Sequence, residues 1–220
     1  MRQPALIIFD LDGTLVDSLP GIRVGLNRAL EDLGLPSRDL TWVRAHVGFG
    51  AHRLIAAAAE DVDRERLMTC FRRRYGEVLI ELTHSYPGVD ETLVYLARNH
   101  DLAVASNKPI EWVDALVDHL GWRELLVAVI GPETAGARKP DPAMIEAIVT
   151  RTGHTASEAL LVGDMPVDAD TGARAGIPVV GVATGSYPVD ALRAAGCIDV
   201  ISGVPALPDW LESRYSPSFG

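Results

Sequence analysis

Cysteine is scarce in this sequence: Cys70 and Cys197 are the only two in 220 residues. They stand far apart and in no metal-binding spacing, which argues against a disulfide framework or a zinc site. Long apolar runs are lacking too. None approaches the roughly 20 residues that cross a bilayer, and Met1–Phe9 is too short for a signal peptide's apolar stretch and runs directly into acidic residues. Repeats and low-complexity tracts are absent. Basic charge is in deficit, with 20 basic residues against 30 acidic ones and a formal net charge of −10. Such a field repels nucleic acid and anionic membrane, so neither is expected as a partner, and the expected location is cytoplasmic. It also repels a phosphorylated ligand unless a cation or local basic groups intervene.

What is present suits a folded domain. Hydrophobic residues make up 48% and charged residues 23%, enough for one α/β domain or a core with a small insert. Short apolar runs recur at Ala5–Phe9, Leu102–Ser106, Leu125–Ile130, Ala159–Gly163, Pro178–Val182 and, more weakly, Ile198–Ile201. Each reads as a buried parallel strand. Helical patterns alternate with them at Val89–Arg98, Ile110–Leu120, Pro142–Thr152 and Asp168–Ala175, the last ending at Gly176 as a C-cap. This alternation predicts a Rossmann-like parallel sheet covered by helices on both faces. Residues 15–86 break the rhythm. Helical periodicity there (Ile22, Leu26, Ala29, Leu30, Leu33) continues through Leu40–His46, Ala51–Glu60 and Val62–Leu82, with no convincing strand. The expected architecture is therefore an α/β core of residues 1–14 and 87–220, with an α-helical cap of residues 15–86 inserted after the first strand.

Three polar segments follow the apolar runs, and a fourth stands just before a helix. Asp10-Leu-Asp12-Gly-Thr14 puts two carboxylates at the carboxyl edge of the sheet, where ligands of open α/β sheets bind. Two such charges repel, so the pair serves a metal site, an acid/base pair or both, unless Asp12-Gly13 is only a turn. Asp164 and Asp168 stand four apart at a helix start, where carboxylates also serve as ordinary caps. Four converging carboxylates would suit Mg²⁺, a hard ion that takes oxygen ligands. Ser106-Asn107-Lys-Pro109 offers a hydroxyl and amides to phosphate oxygens. Lys139, beside Arg138, offers a point charge, although a lone lysine before a helix is more often solvated.

These four segments, in this order, resemble the haloacid-dehalogenase-like (HAD) superfamily of phosphohydrolases. Asp17-Ser-Leu-Pro-Gly21, Tyr86-Pro-Gly-Val89 and Ser106-Asn-Lys-Pro109 are similar to the phosphoglycolate phosphatase group within it. The resemblance implies that Asp10 attacks phosphorus to form an aspartyl-phosphate and that Asp12 serves as general acid and base. It implies that Asp10, the Asp12 carbonyl and Asp164 hold Mg²⁺, with Asp168 a further ligand or an orienting partner. Ser106, Asn107, Lys139 and the Leu11 and Asp12 amides would bind the phosphoryl group. The expected partner is a small phosphorylated metabolite, and relatives include monomers and homodimers. Met165-Pro166 departs from the small hydroxyl residue common after the acid at 164 and puts the local loop in question.

Substrate choice is expected in the cap, at His46–Arg53, where Arg53 could pair with a carboxylate unless it is a plain surface arginine. His46 and His52 read as structural or solvated, and Arg72-Arg-Arg74 as a solvated helix face. Sugar-phosphate phosphatases and phosphomutases share the scaffold and remain rival readings, and a silent binding or regulatory module is a rival of another class. A phosphonate-cleaving enzyme would need a Schiff-base lysine in the cap, and no lysine lies between Leu15 and Tyr86.

Overall fold

The computed structural model describes residues 3–59 and 63–215. The chain opens with β1 (Leu6–Phe9) and β2 (Val16–Asp17). It passes through α1 (Leu19–Glu31), α2 (Leu40–His46), α3 (Ala51–Ala58) and α4 (Arg64–Gly76) and returns by β3 (His84–Ser85). Strands and helices then alternate. In order they are α5 (Val89–Leu96), β4 (Asp101–Ala105), α6 (Ile110–His119), β5 (Leu126–Ile130), α7 (Pro132–Ala135), α8 (Ala143–Thr152), β6 (Ala159–Gly163), α9 (Pro166–Ala175) and β7 (Val179–Val182). The last three are α10 (Val189–Ala194), β8 (Asp199–Ile201) and α11 (Leu207–Tyr215).

Six strands form one parallel sheet in the order β5-β4-β1-β6-β7-β8. All four β1 residues are buried because both faces of the sheet are covered. Ile7 and Phe9 point to one apolar layer with Val104, Val162 and Val180. Leu6 and Ile8 point to the other, with Ala103, Leu161 and the α8 residues Met144 and Ile145. Alternate strand side chains thus feed separate layers, the consequence of a two-residue period. β1 sits at the centre, and the chain runs outward through β4 and β5 before crossing back to β6. The crevice at that reversal is where such sheets bind ligands. Phe9 is in register with Val104 and Val162, so Asp10, the Ser106 loop and Asp164 emerge at one level.

The expected strands and core helices are present within one to two residues at most ends. The helical insert is also present, but it is not strand-free. Val16 pairs with Ser85 and Asp17 with His84, an antiparallel ribbon of two residues per strand at the two crossings into the insert. Runs so short carry no periodicity for a sequence pattern to reveal. The expected helix ends Glu60 and Val62 lie outside the described residues, and the helix foreseen to Leu82 stops at Gly76. The apolar layer of Ile7 and Phe9 continues into the insert through Leu26, Leu54, Phe71 and Tyr75. Close approach of α1 and α4 depends on Gly25, where a Cβ would lie 2.7 Å from the Tyr75 Cα. On the helix face foreseen as solvated, Arg73 stays exposed, and it and Arg74 bond Asp32 at the end of α1, at 2.8 and 2.7 Å. Those exposed pairs add about 0–1 kcal/mol each, so packing holds the insert together.

Candidate active site

The loop after β1 turns tightly. The Leu11 carbonyl accepts from the amides of Thr14, Leu15 and Val16. Gly13 has φ +88°, and a Cβ there would lie 2.4 Å from Asp164 Oδ2. A side chain is therefore excluded twice at position 13, by backbone strain and by the acid facing it. Thr14 Oγ1 donates to Asp164 Oδ1 at 3.0 Å, joining the β1 loop to the β6 loop.

Lys139, buried, donates to Asp10 Oδ1 and to Asp168 Oδ1, both at 2.7 Å. The other Asp168 oxygen accepts from the Met165 amide at 3.1 Å, at the start of α9. Asp168 is thus a helix cap and a tether for Lys139 at once. Pro166 occupies the first helical position, which needs no amide hydrogen, so Met165-Pro166 leaves both acids in line with the site. One oxygen from each of Asp10, Asp164 and Asp168 lies within 4.8 Å of the other two.

Burial dominates the electrostatics. It raises the Asp10 carboxyl from 3.8 to about 6 despite the Lys139 ammonium beside it, with Asp168 and Asp12 adding to the rise. Burial followed by repulsion from Asp10 and Asp168 pushes Asp164 well above the usual carboxylate range. For Lys139, burial alone would lower the pKa, but attraction from Asp10 and Asp168 raises it. Three buried carboxylates of hard oxygen character, two of them held short of easy ionisation, suit one shared divalent cation.

Ser106 and Asn107 reach the same level from β4. Ser106 is buried, and its hydroxyl accepts from the Lys108 amide at 3.3 Å. Asn107 spends its side chain as a brace. Its Oδ1 accepts from the Lys139 amide at 2.8 Å, and its Nδ2 donates to Lys139 O and to Gly48 O of the insert, both at 3.3 Å. The foreseen loop contributes Val47, Gly48, Gly50 and Ala51 to a cavity over Asp10 and Asp12. Arg53 does not line that cavity. It is exposed, stacks over the Phe49 ring at 5.3 Å and lines an outer groove with Arg138. His46 is structural, its Nδ1 2.7 Å from Trp42 O and its ring stacked on that indole.

Lys108 and Tyr75 escaped the sequence reading. Lys108 Nζ donates to Asp12 Oδ1 at 2.9 Å and to the Tyr75 hydroxyl, on α4, at 2.7 Å. One signal was available: the chain contains only two lysines, and each follows a strand near the sheet's carboxyl edge. With Asp10, Asp12, Asp164 and Asp168 facing Lys108 and Lys139, the formal deficit is two positive charges, that of one divalent ion.

Residues 7–182 match the family model of haloacid dehalogenase-like hydrolases. The chain belongs to that family. This hydrolase is 36% identical to the phosphoglycolate phosphatase of Rhodospirillum rubrum, over 95% of this chain and 91% of that one. It is 35% identical to the phosphoglycolate phosphatase of Mesorhizobium japonicum, over the whole of both chains. Its fold superposes with a TM-score of 0.88 on a predicted phosphoglycolate phosphatase of Haemophilus somnus, at 29% identity, over 96% of this chain and 99% of that one. No helix among the described residues is long and apolar enough to cross a membrane.

Proposed function

We propose that this hydrolase is a magnesium-dependent phosphatase that cleaves a small phosphate monoester through an aspartyl-phosphate on Asp10, with 2-phosphoglycolate the preferred class of substrate. The observation that carries the reading is the Lys139 ammonium held between Asp10 and Asp168 at the mouth of the sheet crevice. A pinned carboxylate makes a poised nucleophile, and the same ammonium offsets charge on a phosphoryl group brought against it. The phosphatase names of the full-length relatives support the same reading.

Mg²⁺ would be held by Asp10, Asp164, Asp168 and the Asp12 carbonyl, and when bound it offsets phosphate charge. The rest is the work of the chain. Asp10 displaces the alkoxide from phosphorus, and Asp12, having taken up a proton on one oxygen in place of a Lys108 contact, delivers it to that leaving oxygen. Asp12 then takes a proton from the water that hydrolyses the aspartyl-phosphate, which returns both acids to their starting forms. Lys108 holds the Asp12 carboxylate by both oxygens, at 2.9 and 3.2 Å, and so fixes its direction. The Ser106 hydroxyl and the amides of Leu11, Asp12 and Asn107 bind the phosphoryl oxygens. Residues 15–86 act as a cap that excludes water from the intermediate, hinged at the β2–β3 ribbon and Gly88, with 1–14 and 87–220 as the core. The protein works in the cytoplasm.

Phosphate release from 2-phosphoglycolate, sugar phosphates, nucleotides and an aryl phosphate tests this directly. Turnover lost with chelator and with Asp10→Asn is expected. Activity that survives Asp10→Asn would overturn the covalent route.

A further inference from the structure

The cavity between insert and core has an uneven lining. Its insert side is hydrocarbon, from Ile22, Val47, Leu54 and Phe71, and the Trp112 ring of α6 adds to it from the core. Its floor carries Asp10 and Asp12, with Ser106 and Asn107 beside them. Lys108 is the one cationic side chain among the described residues of that lining. The arginine that looked suited to a second anion, Arg53, stands in the outer groove instead.

Lys108 is placed by three elements. The loop after β4 carries it, Asp12 accepts from it, and the Tyr75 hydroxyl of α4 accepts from it from the insert side. An ammonium has three donors. Tyr75 takes one and the two Asp12 oxygens share the others, at 2.9 and 3.2 Å, so the longer Asp12 contact is the one an anion entering the cavity displaces. A carboxylate carried into this enclosure without a cation would meet hydrocarbon on one side and the Asp10–Asp12 charges on the other, a severe desolvation cost. Polyol substrates fare badly too, because each hydroxyl facing Ile22, Leu54 or Phe71 loses a water partner without gaining another. A short ester with one carboxylate fits both walls.

We propose that Lys108 is the specificity-determining residue of this enzyme, receiving the carboxylate of a compact phosphorylated carboxylic acid in place of its longer contact to Asp12 while Asp10 and Lys139 engage the phosphoryl end. The inference rests on the phosphatase reading and deepens it. It makes recognition depend on the insert being seated, since Tyr75 holds Lys108 only when α4 lies over the core. Gly25 takes part from a distance, because it lets α1 and α4 approach closely enough to set the Tyr75 backbone.

Two phosphate esters of nearly equal size separate the outcomes: 2-phosphoglycolate, and ethyl phosphate, which has a methyl group in place of the carboxylate. Wild type is expected to favour phosphoglycolate at least about tenfold in kcat/KM. Lys108→Met is expected to lower kcat/KM for both esters through Asp12, but for phosphoglycolate about ten- to a hundredfold more, which brings the preference near unity. Lys108→Arg, which keeps the charge, is expected to restore part of that preference.

A binding readout stands apart from turnover. With lysine labelled by ¹³C at Cε, the two lysines give two signals, assigned through Lys108→Arg. In Asp10→Asn with Mg²⁺, ethyl phosphate is expected to move the Lys139 signal, and phosphoglycolate to move both. Equal movement of the Lys108 signal by both esters would overturn the proposal. So would loss of the preference in Arg53→Ala with its retention in Lys108→Met. Failure of wild type to hydrolyse either ester would instead count against the phosphatase reading, and the labelled lysine would still report whether the carboxylate reaches Lys108.

Discussion

Asp10→Asn is expected to abolish turnover and, without metal, to make the protein more stable. Burial and neighbouring acids raise the Asp10 carboxyl from 3.8 to about 6, even with Lys139 beside it. At neutral pH the ionised group therefore costs the metal-free fold up to about 3 kcal/mol. Asparagine removes the charge and leaves Lys139 its bond to Asp168. A gain of about 1–3 kcal/mol corresponds to roughly 2–12 °C in Tm for a chain of this size.

The sign follows from proton counting. Below 3.8 both folded and unfolded chains hold the proton, and Asp10 contributes nothing. As pH rises from 3.8 to about 6 the unfolded chain releases its proton first, so stability falls across that window and is flat above it. Thermal denaturation from pH 4 to 8 in chelator, wild type against Asp10→Asn, should give a difference curve that opens between those limits and then levels. Magnesium should close the gap, since saturation at a hundred times Kd adds about 2.7 kcal/mol to whichever form binds it. An Asp10→Asn variant less stable than wild type at pH 7.5 in chelator would refute the electrostatic account.

Other outcomes follow from the same contacts. Thr14→Val keeps shape but removes the hydrogen bond to Asp164, and is expected to weaken Mg²⁺ binding about 10–100-fold in a calorimetric titration. Gly13→Ala forces a methyl group toward the Asp164 carboxylate at a positive φ, so activity should vanish and stability drop by about 2 kcal/mol or more in denaturant unfolding. Gly25→Ala drives a methyl group against the Tyr75 backbone and is expected to cost about 1–3 kcal/mol, with kcat/KM falling more than Mg²⁺ affinity.

The parallel sheet was legible because both faces are buried, which turns each strand into a continuous apolar run such as Leu6–Phe9. The four acids were legible because each follows such a run, and the strand order brings those run ends to one edge, whereas Lys139, beyond α7, was legible only through the family resemblance. The β2–β3 ribbon was not legible, since two-residue pairs carry no pattern. Local spacing also could not settle whether Asp168 is a cap or a site residue. Only the fold brought Lys139 to it from 29 positions away, so that one Asp168 oxygen caps α9 and the other holds Lys139.

Lys108, Tyr75 and Arg53 depend on tertiary structure in a stronger sense. Distances between a loop after β4, a helix of the insert and the acid at position 12 are set by packing of α1 on α4 and of the insert on the core. The sequence by itself determined the layered fold, the acidic centre and the family resemblance, because periodicity and short motifs are local properties. Which cation lines the cavity over Asp10 and Asp12 was decided by the tertiary structure alone: Arg53 and Lys108 look alike along the chain, and only the packed interface turns one outward and buries the other over Asp12.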